Sequence, residues 1–249
     1  MNAFSLENKT ILVTGATSGI GFEVCKQIIN AGGNFIGLGR NTEQLDKFIS
    51  ENNLTGSSAR FLDVIQLESI PELVDSLEVK IDGFVHSAGI VENNPIQFFN
   101  EELYNKIRTV NLDSALVFIS HLLKKKKFNK PASIVFVSSI SGLYGMKGNG
   151  LYGITKAALG IMAKTYANEL AFKKIRVNTV APGMVNTQIT LDAGNFLSEE
   201  VINEDKKKYP LGYGEPEDVA LPIVFLLSEA SKWITGQDLI LDGGRTAII

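Results

Sequence analysis

The sequence predicts an α/β fold in which helices cover both faces of a parallel β-sheet of about seven strands. Short apolar runs rich in β-branched residues recur along the chain, and longer segments with helical periodicity separate them. Strands that alternate with helices are typical of a doubly wound parallel sheet. No linker, repeat or low-complexity tract interrupts this pattern, so residues 1–249 are expected to form a single domain.

The periodicity also places the individual elements along the chain. Strands are predicted at residues 10–14, 34–38, 60–62, 83–86, 133–138, 176–181 and 239–241. Helices are predicted at residues 19–31, 42–51, 101–127 and 152–172, with another near Glu217. Residues 184–214 are expected to form a long irregular loop over the carboxyl edge of the sheet, where it would shape substrate binding.

Composition narrows the class of protein. Hydrophobic residues make up 45% of the chain and charged residues 20%, as in globular proteins with a large core, and a net charge of -3 argues against nucleic-acid binding. A basic run at residues 124–127 is expected to solvate a helix end; with Lys130, Lys173 and Lys174 it could instead dock an acidic carrier or a phosphorylated substrate. A single cysteine, Cys25, no signal-peptide pattern and no long apolar run favour a cytoplasmic protein without a disulfide or membrane span.

A glycine-rich turn joins the first predicted strand to the first predicted helix. From Thr14 onward the chain reads Thr-Gly-Ala-Thr-Ser-Gly-Ile-Gly. The first glycine allows a tight bend, the second lets backbone amides approach a pyrophosphate, and the third lets the helix pack closely on the sheet. A plain strand-to-helix connection is the alternative. The turn predicts a dinucleotide site with the contact residues Gly15, Thr17, Ser18, Gly19, Ile20 and Gly21.

The end of the second strand indicates which dinucleotide is bound. It lacks the acidic residue that would bind the ribose diol of NAD(H). Gly39 leaves space and Arg40, followed by Asn41, suits a 2′-phosphate, so NADP(H) is favoured while NAD(H) stays an option. Arg40 could instead be an exposed residue that opens the next helix. Asp63, followed by Val64, could accept a hydrogen bond from the adenine amino group or cap the next helix.

A tyrosine and a lysine lie four residues apart in the last long predicted helix. This spacing places Tyr152 and Lys156 on one helix face. A neighbouring ammonium favours the phenolate, so Lys156 is expected to lower the pKa of Tyr152 from about 10 towards neutrality. Many helices carry such a pair without any catalytic role, so the spacing alone does not decide the function.

Together these segments resemble the short-chain dehydrogenase/reductase family over essentially the whole chain. TGATSGIG is similar to the TGxxxGxG cofactor turn of that family, and Tyr152 with Lys156 is similar to its YxxxK motif. Ser139 stands where the family keeps its catalytic serine, and Asn111 matches the asparagine that holds a water. The resemblance implies a single-domain Rossmann fold and four catalytic residues: Asn111, Ser139, Tyr152 and Lys156.

The resemblance also implies further cofactor contacts. Besides Tyr152 and Lys156 themselves, these are Ser87, Ala88, Gly89, Pro182, Gly183, Val185 and Thr187. No metal site is implied. His86 departs from the family, which usually has asparagine at this position. We interpret His86 as a buried residue with a structural partner, and an acid-base role is the alternative.

The implied activity is hydride transfer between NADP(H) and a carbonyl or secondary alcohol, with ketone reduction favoured. Ser139 would hydrogen-bond the carbonyl oxygen while Tyr152 donates a proton to it. Lys156 would hold the nicotinamide ribose, and Asn111 would position a water that links Lys156 to solvent. A catalytically silent NADP(H)-binding regulator or scaffold is the rival interpretation.

The resemblance leaves the substrate and the assembly open. We expect a small-molecule carbonyl or alcohol, which an acyl carrier could present. A partly apolar pocket is predicted from Leu143, Tyr144, Met146, Met184, Ile189, Leu191 and Phe196, with Asn149, Asn186 and Gln188 for polar contacts. Family members often pair their two long helices across two-fold axes, so a homotetramer or homodimer is expected.

Overall fold

The computed structural model describes residues 2–187 and 199–247, which form one parallel seven-stranded sheet. The strands lie in the order β3-β2-β1-β4-β5-β6-β7. Their bounds are β1 Thr10–Thr14, β2 Asn34–Gly39, β3 Ser58–Phe61, β4 Ile81–His86, β5 Phe128–Val137, β6 Ile175–Pro182 and β7 Asp238–Leu241. The predicted doubly wound sheet is confirmed.

Helices connect successive strands and cover the sheet on both sides. In the described ranges they are α1 Gly19–Asn30, α2 Glu43–Glu51, α3 Ser69–Asp75, α4 Glu101–Arg108, α5 Ser114–Lys124, α6 Gly150–Leu170, α7 Glu199–Lys206 and α8 Pro216–Leu227. A π-helical turn, Thr109–Asp113, lies between α4 and α5 and is called the π-turn below.

Each face of the sheet has its own apolar core. Successive strand side chains point to opposite faces, so Leu12 belongs to one core and Val13 to the other. Phe118 of α5 and Leu159 of α6 pack into the core that contains Leu12, and Val24 of α1 packs into the core that contains Val13. Burial on both faces explains why these strands read as nearly continuous apolar runs.

The direction of winding reverses at β1, which has β2 on one side and β4 on the other. Such a reversal leaves a crevice at the carboxyl ends of the two central strands, where α/β proteins bind ligands. Thr14 and His86 are paired in register at those ends. The glycine-rich turn after β1 therefore faces the segment that follows β4.

Several elements differ from the sequence-based prediction. The helix predicted at residues 101–127 contains the π-turn and ends at Lys124, so the basic run does begin at a helix end. β5 begins at Phe128 rather than at residue 133, because Phe128 pairs with Ile81 of β4. Helix α3 was not predicted. The loop at residues 184–214 contains α7, while residues 188–198 of it, with Gln188, Ile189, Leu191 and Phe196, lie outside the described residues.

Candidate active site

The glycine-rich turn is packed against the segment that follows β4. Gly15 has a φ of +65°, and a Cβ there would lie 2.8 Å from the backbone nitrogen of Ala88. A Cβ on Gly21 would lie 2.2 Å from the carbonyl oxygen of Gly15. Both positions therefore exclude a side chain, as the sequence predicted. Ala88 also donates its N–H to the Thr14 hydroxyl over 3.3 Å, which ties the two loops together.

The amino terminus of α1 is open to an anion. Ser18 precedes the helix in extended conformation and makes no capping hydrogen bond, and the first turn carries no acidic side chain. The first N–H groups of a helix need acceptors, and a phosphate supplies them. Gly19, Ile20 and Gly21 form this first turn, so the residues present fit a dinucleotide pyrophosphate.

The segment after β6 reaches back to this turn. Thr187 lies close enough that its methyl group would be 3.4 Å from a Cβ placed on Gly19. A parallel bridge between Val185 and Gly214 holds the segment, with Met184 accepting from the Gly214 N–H over 3.0 Å. Pro182 is the last residue of β6. The predicted nicotinamide border thus runs along the crevice towards the phosphate turn.

Gly39 has a different role from the one predicted. A Cβ there would lie 2.5 Å from both the hydroxyl and the methyl group of Thr17. The space that we assigned to the 2′-phosphate is therefore filled by the Thr17 side chain, and Gly39 exists to let the phosphate turn pack on β2. That part of the prediction was wrong, because spacing along the chain did not show what lies beside the glycine.

Arg40 and Asn41 lie at the surface at the end of β2. The Arg40 guanidinium is exposed and forms no ion pair or hydrogen bond within the described residues. Asn41 accepts the Glu43 N–H over 3.0 Å through its side-chain oxygen, which leaves its amide group available. These two residues could hold a phosphate, whereas Glu43, in the first turn of α2, opposes one electrostatically.

Asp63 and Val64 follow β3 and are partly buried. One carboxylate oxygen of Asp63 accepts the Ile65 N–H over 3.2 Å, so the side chain caps a turn that precedes α3 rather than the helix itself. The second carboxylate oxygen makes no hydrogen bond within the described part of the chain. It could accept the amino group of an adenine.

Three predicted catalytic side chains meet at the carboxyl end of β5. Ser139 follows this strand, and its hydroxyl lies close enough to the Tyr152 phenol to favour the phenolate, while it accepts the Ser141 N–H over 3.1 Å. The Lys156 ammonium lies 5.5 Å from the centre of the Tyr152 ring. The neighbouring serine, Ser138, donates its hydroxyl to the Lys156 carbonyl over 2.8 Å and is unavailable to a substrate.

The electrostatics of the pair differ from the prediction. Burial raises the pKa of Tyr152 to about 12, and the nearby Ser139 hydroxyl opposes that rise. Burial lowers the pKa of Lys156 to about 8. The Lys156 ammonium donates to the Val137 carbonyl over 2.7 Å instead of approaching the phenol. Lys156 therefore does not lower the pKa of Tyr152 in this structure, because its charge is held at the strand end.

Asn111 is buried in the π-turn, and most of its side-chain hydrogen-bonding groups have partners. Its oxygen accepts the Ile90 N–H over 2.8 Å, and its amide donates to the Ile90 carbonyl and to the Thr155 hydroxyl. Both amide hydrogens are thus used, and one lone pair of the oxygen is left without a partner in the described residues. Irregular helical turns of this kind also leave backbone carbonyls without their usual helical partners, so the Asn111 backbone is the better candidate to hold a water.

One contributor to the site was missed by sequence reasoning, and one predicted residue has a second role. Thr155 accepts from Asn111 and donates to the Tyr152 carbonyl over 2.7 Å, so it joins the π-turn to α6. Its place directly before Lys156 gave no distinct signal. Gly89 was predicted as a cofactor contact, but its lack of a side chain also leaves room for the Lys156 ammonium, which would lie 3.3 Å from a Cβ there.

Neither a metal site nor a membrane-spanning helix is found in the described part of the chain. Residues 2–187 and 199–247 contain no group of three or more histidine, cysteine, aspartate or glutamate side chains that could hold a metal ion. Within the same ranges, no helix combines the length and the apolar character needed to cross a membrane.

Comparison with known proteins decides the family. A family model described as enoyl-(acyl carrier protein) reductase matches residues 15–246. The 3-oxoacyl-[acyl-carrier-protein] reductase FabG of Thermotoga maritima is 35% identical, with 96% of this chain and 98% of the relative covered. The chain belongs to the short-chain dehydrogenase/reductase family. It is accordingly an oxidoreductase of the class that interconverts alcohols and carbonyls with a nicotinamide cofactor.

Other family members differ in the substrates that their names give. The 7alpha-hydroxysteroid dehydrogenase of Bacteroides fragilis is 33% identical over 99% of this chain and 96% of its own. A putative NAD(P) dependent gluconate 5-dehydrogenase from Beutenbergia cavernae, crystallised with bound NADP, superposes with a TM-score of 0.90 at 30% identity, covering 99% of this chain and 100% of that one. The names of these relatives thus give acyl groups on a carrier protein, a steroid and a sugar acid as substrates within the short-chain dehydrogenase/reductase family.

Proposed function

We propose that this protein is an NADP(H)-dependent carbonyl reductase in which Ser139, Tyr152, Lys156 and Asn111 form the catalytic machinery. The observation that carries the proposal is the meeting of the first three side chains at the carboxyl end of β5. The open helix terminus of the phosphate turn lies at the same edge of the sheet. Cofactor and proton donor would therefore face one substrate in the crevice.

The residues of the crevice support the choice of cofactor. The bound nicotinamide would supply the hydride, and the uncapped first turn of α1 would hold its pyrophosphate. Arg40 offers a free guanidinium for a 2′-phosphate, which NADP(H) has and NAD(H) lacks. Glu43 lies nearby with the opposite charge, so we expect discrimination by Arg40 to be moderate rather than absolute.

The proton chemistry rests on Ser139 and Tyr152. The two hydroxyl groups lie close together, so both can converge on one carbonyl oxygen. A phenol with a pKa of about 12 stays protonated at neutral pH, as a proton donor for ketone reduction must. Reduction is therefore the direction that we favour.

Lys156 and Asn111 would supply the next proton. Lys156, with a pKa near 8, carries its proton at neutral pH and lies next to the Tyr152 ring. Gly89 opens the space beside its ammonium group. A water held by the Asn111 backbone would connect Lys156 to solvent, since the Asn111 side chain is already committed to Ile90 and Thr155.

Two exposed side chains beside the proton donor indicate which class of substrate fits the crevice. Leu143 and Tyr144 follow the short helical turn after Ser139 and are exposed, with 41% and 47% of their surfaces accessible. Apolar groups so close to the proton donor suit a hydrophobic acyl chain or ring next to the carbonyl. We therefore favour a β-ketoacyl thioester, which an acyl carrier could present, over a strongly polar sugar.

We also propose that the protein forms a homo-oligomer and that helices α5 and α6 form the interface between its copies. Leu116, Ile154 and Ile161 expose 37%, 56% and 65% of their surfaces to solvent. Ile161 lies on the exposed side of α6, where a second copy of the chain could contact it. Burying such a surface between copies would yield the expected dimer or tetramer. A cytoplasmic location stays a prediction.

A screen of NADPH oxidation tests the function. Acetoacetyl and longer β-ketoacyl thioesters, diketones, steroid ketones and keto sugars would be compared at fixed enzyme concentration. Tyr152→Phe should lower turnover on the best substrate at least about a hundredfold, with NADPH affinity retained. Near-normal turnover by a folded Tyr152→Phe variant would contradict the mechanism. NADPH binding without turnover on any substrate would favour a silent regulator instead.

A further inference from the structure

His86 occupies a junction between the two functional loops of the crevice. It is the last residue of β4, is fully buried, and pairs in register with Thr14 at the end of β1. The phosphate turn begins directly after Thr14, and the π-turn that carries Asn111 lies on the other side of the ring. A polar ring buried at such a place needs partners for both of its nitrogens.

One ring nitrogen of His86 contacts the end of β1, directly before the phosphate turn. Nδ1 of His86 lies 3.0 Å from the Thr14 hydroxyl. That hydroxyl already accepts the Ala88 N–H, and it makes no other hydrogen bond within the described residues. Its own proton is therefore free to be donated to Nδ1, which makes Nδ1 an acceptor and leaves the ring proton on Nε2.

The other nitrogen, Nε2, is buried and makes no hydrogen bond in the described part of the chain. The backbone carbonyls of Val110 and Asn111 nevertheless lie close enough to favour a proton on the ring. An unprotonated nitrogen would be repelled by two carbonyl oxygens, so this side of the ring also requires the proton on Nε2. Both sides of the junction thus require the same tautomer.

The ring stays neutral in this position. Burial and the nearby Lys156 ammonium lower the pKa of His86 to about 3, against a smaller rise from the two carbonyls. We therefore expect the ring to stay neutral across the physiological pH range, which argues against the acid-base alternative that the sequence left open.

We propose that His86 is a positioning residue that ties the phosphate turn to the π-turn, accepting from Thr14 at Nδ1 and presenting its Nε2 proton to the carbonyls of Val110 and Asn111. In this way one ring holds both the cofactor loop and the backbone that would hold the relay water. The proposal rests on the proposed function in so far as it assigns Asn111 to proton supply.

A first experiment reads the ring directly and needs no catalysis. The chain contains two histidines, so a His121→Gln variant leaves His86 as the single histidine and assigns its signals. Long-range ¹⁵N–¹H correlation spectra of the labelled protein identify the protonated nitrogen. We expect protonated Nε2 and no titration between about pH 5 and 9. A proton on Nδ1, or titration in that range, would overturn the proposal.

A second experiment uses a matched pair of variants. The amide of asparagine can replace Nδ1 of a histidine, and the amide of glutamine can replace Nε2. His86→Asn should keep the Thr14 contact but lose the reach to the π-turn, which lowers kcat about tenfold with little change in the NADPH dissociation constant. His86→Gln should retain kcat within about threefold while weakening NADPH binding.

Comparison of kcat, KM and thermal stability between the two variants distinguishes a positioning role of His86 from a role in packing alone. Equal losses of kcat in both, or losses of thermal stability with unchanged kcat and KM, would show a purely structural histidine and refute the proposal. If the wild-type protein reduced no substrate, the proposed function would fail. The ring tautomer and the NADPH dissociation constants would still decide the role of His86.

Discussion

The buried ammonium of Lys156 should leave a measurable signature in the stability of the free protein. Lys156 is 3% exposed, and burial lowers its pKa from 10.5 to about 8. Between these values the unfolded chain binds more protons than the folded one. The free energy of unfolding must therefore rise as pH increases from about 8 to 10.5.

The magnitude follows from the same two values. A pKa lowered from 10.5 to about 8 means that the buried charge destabilises the folded protein by about 3.4 kcal/mol. About 2.5 kcal/mol of this destabilisation is lost between pH 7 and pH 10, because Lys156 gives up its proton in that range. Lys156→Met removes the ionisable group and keeps a chain of similar length. The unfolding free energy of the wild type, minus that of Lys156→Met, should rise by about 2.5 kcal/mol over this range.

Urea unfolding at several pH values measures this difference. Subtracting the variant removes the contribution of every other titrating group, and it also removes constant effects such as the loss of the Val137 contact. The matched control is Lys164→Met, which takes an exposed ammonium from the same helix and so relieves no burial cost. A wild-type minus Lys156→Met difference that stays constant within about 0.5 kcal/mol would refute the assignment of a buried, charged Lys156.

Four further predictions concern the cofactor, the proton supply and the assembly. Arg40→Ala should raise KM for NADPH about tenfold and leave KM for NADH unchanged, and equal effects on both would refute the 2′-phosphate contact. Gly39→Ala should cost about 1–3 kcal/mol of stability by clashing with Thr17, and Thr17→Ala should recover part of the loss in urea unfolding. The pH profile of kcat/KM for ketone reduction should fall above about pH 8 as Lys156 loses its proton; a profile level to pH 9.5 would contradict this role. Ile161→Glu should shift the oligomer towards monomer in light scattering, whereas Lys164→Met should not.

Sequence reasoning succeeded where the signal is local. The strands and the helix spacing of Tyr152 and Lys156 follow from short-range periodicity, and the glycines at positions 15 and 21 follow from one tight turn. The choice of Ser139 over Ser138 came from family resemblance. The structure supplies its physical reason, since the Ser138 hydroxyl is bound to the Lys156 carbonyl.

Sequence reasoning failed where the answer depends on what packs beside a residue. Gly39 was expected to make room for a ligand, but it makes room for Thr17, a neighbour from another loop. Lys156 was expected to act on Tyr152, but its ammonium is held by the Val137 carbonyl. The partners of the Asn111 side chain, Ile90 and Thr155, were likewise not visible in the sequence.

The sequence by itself determined the fold class and the position of the glycine-rich turn, and its resemblance to a family supplied the proposed catalytic side chains. The fold class and the turn depend on residues close together in the chain, so periodicity and spacing report them. The tertiary structure decided which hydrogen bonds and charges those side chains have. His86 shows the difference most clearly, because its partners Thr14 and Asn111 lie far from it in sequence and meet it only when β1, β4 and the π-turn pack together.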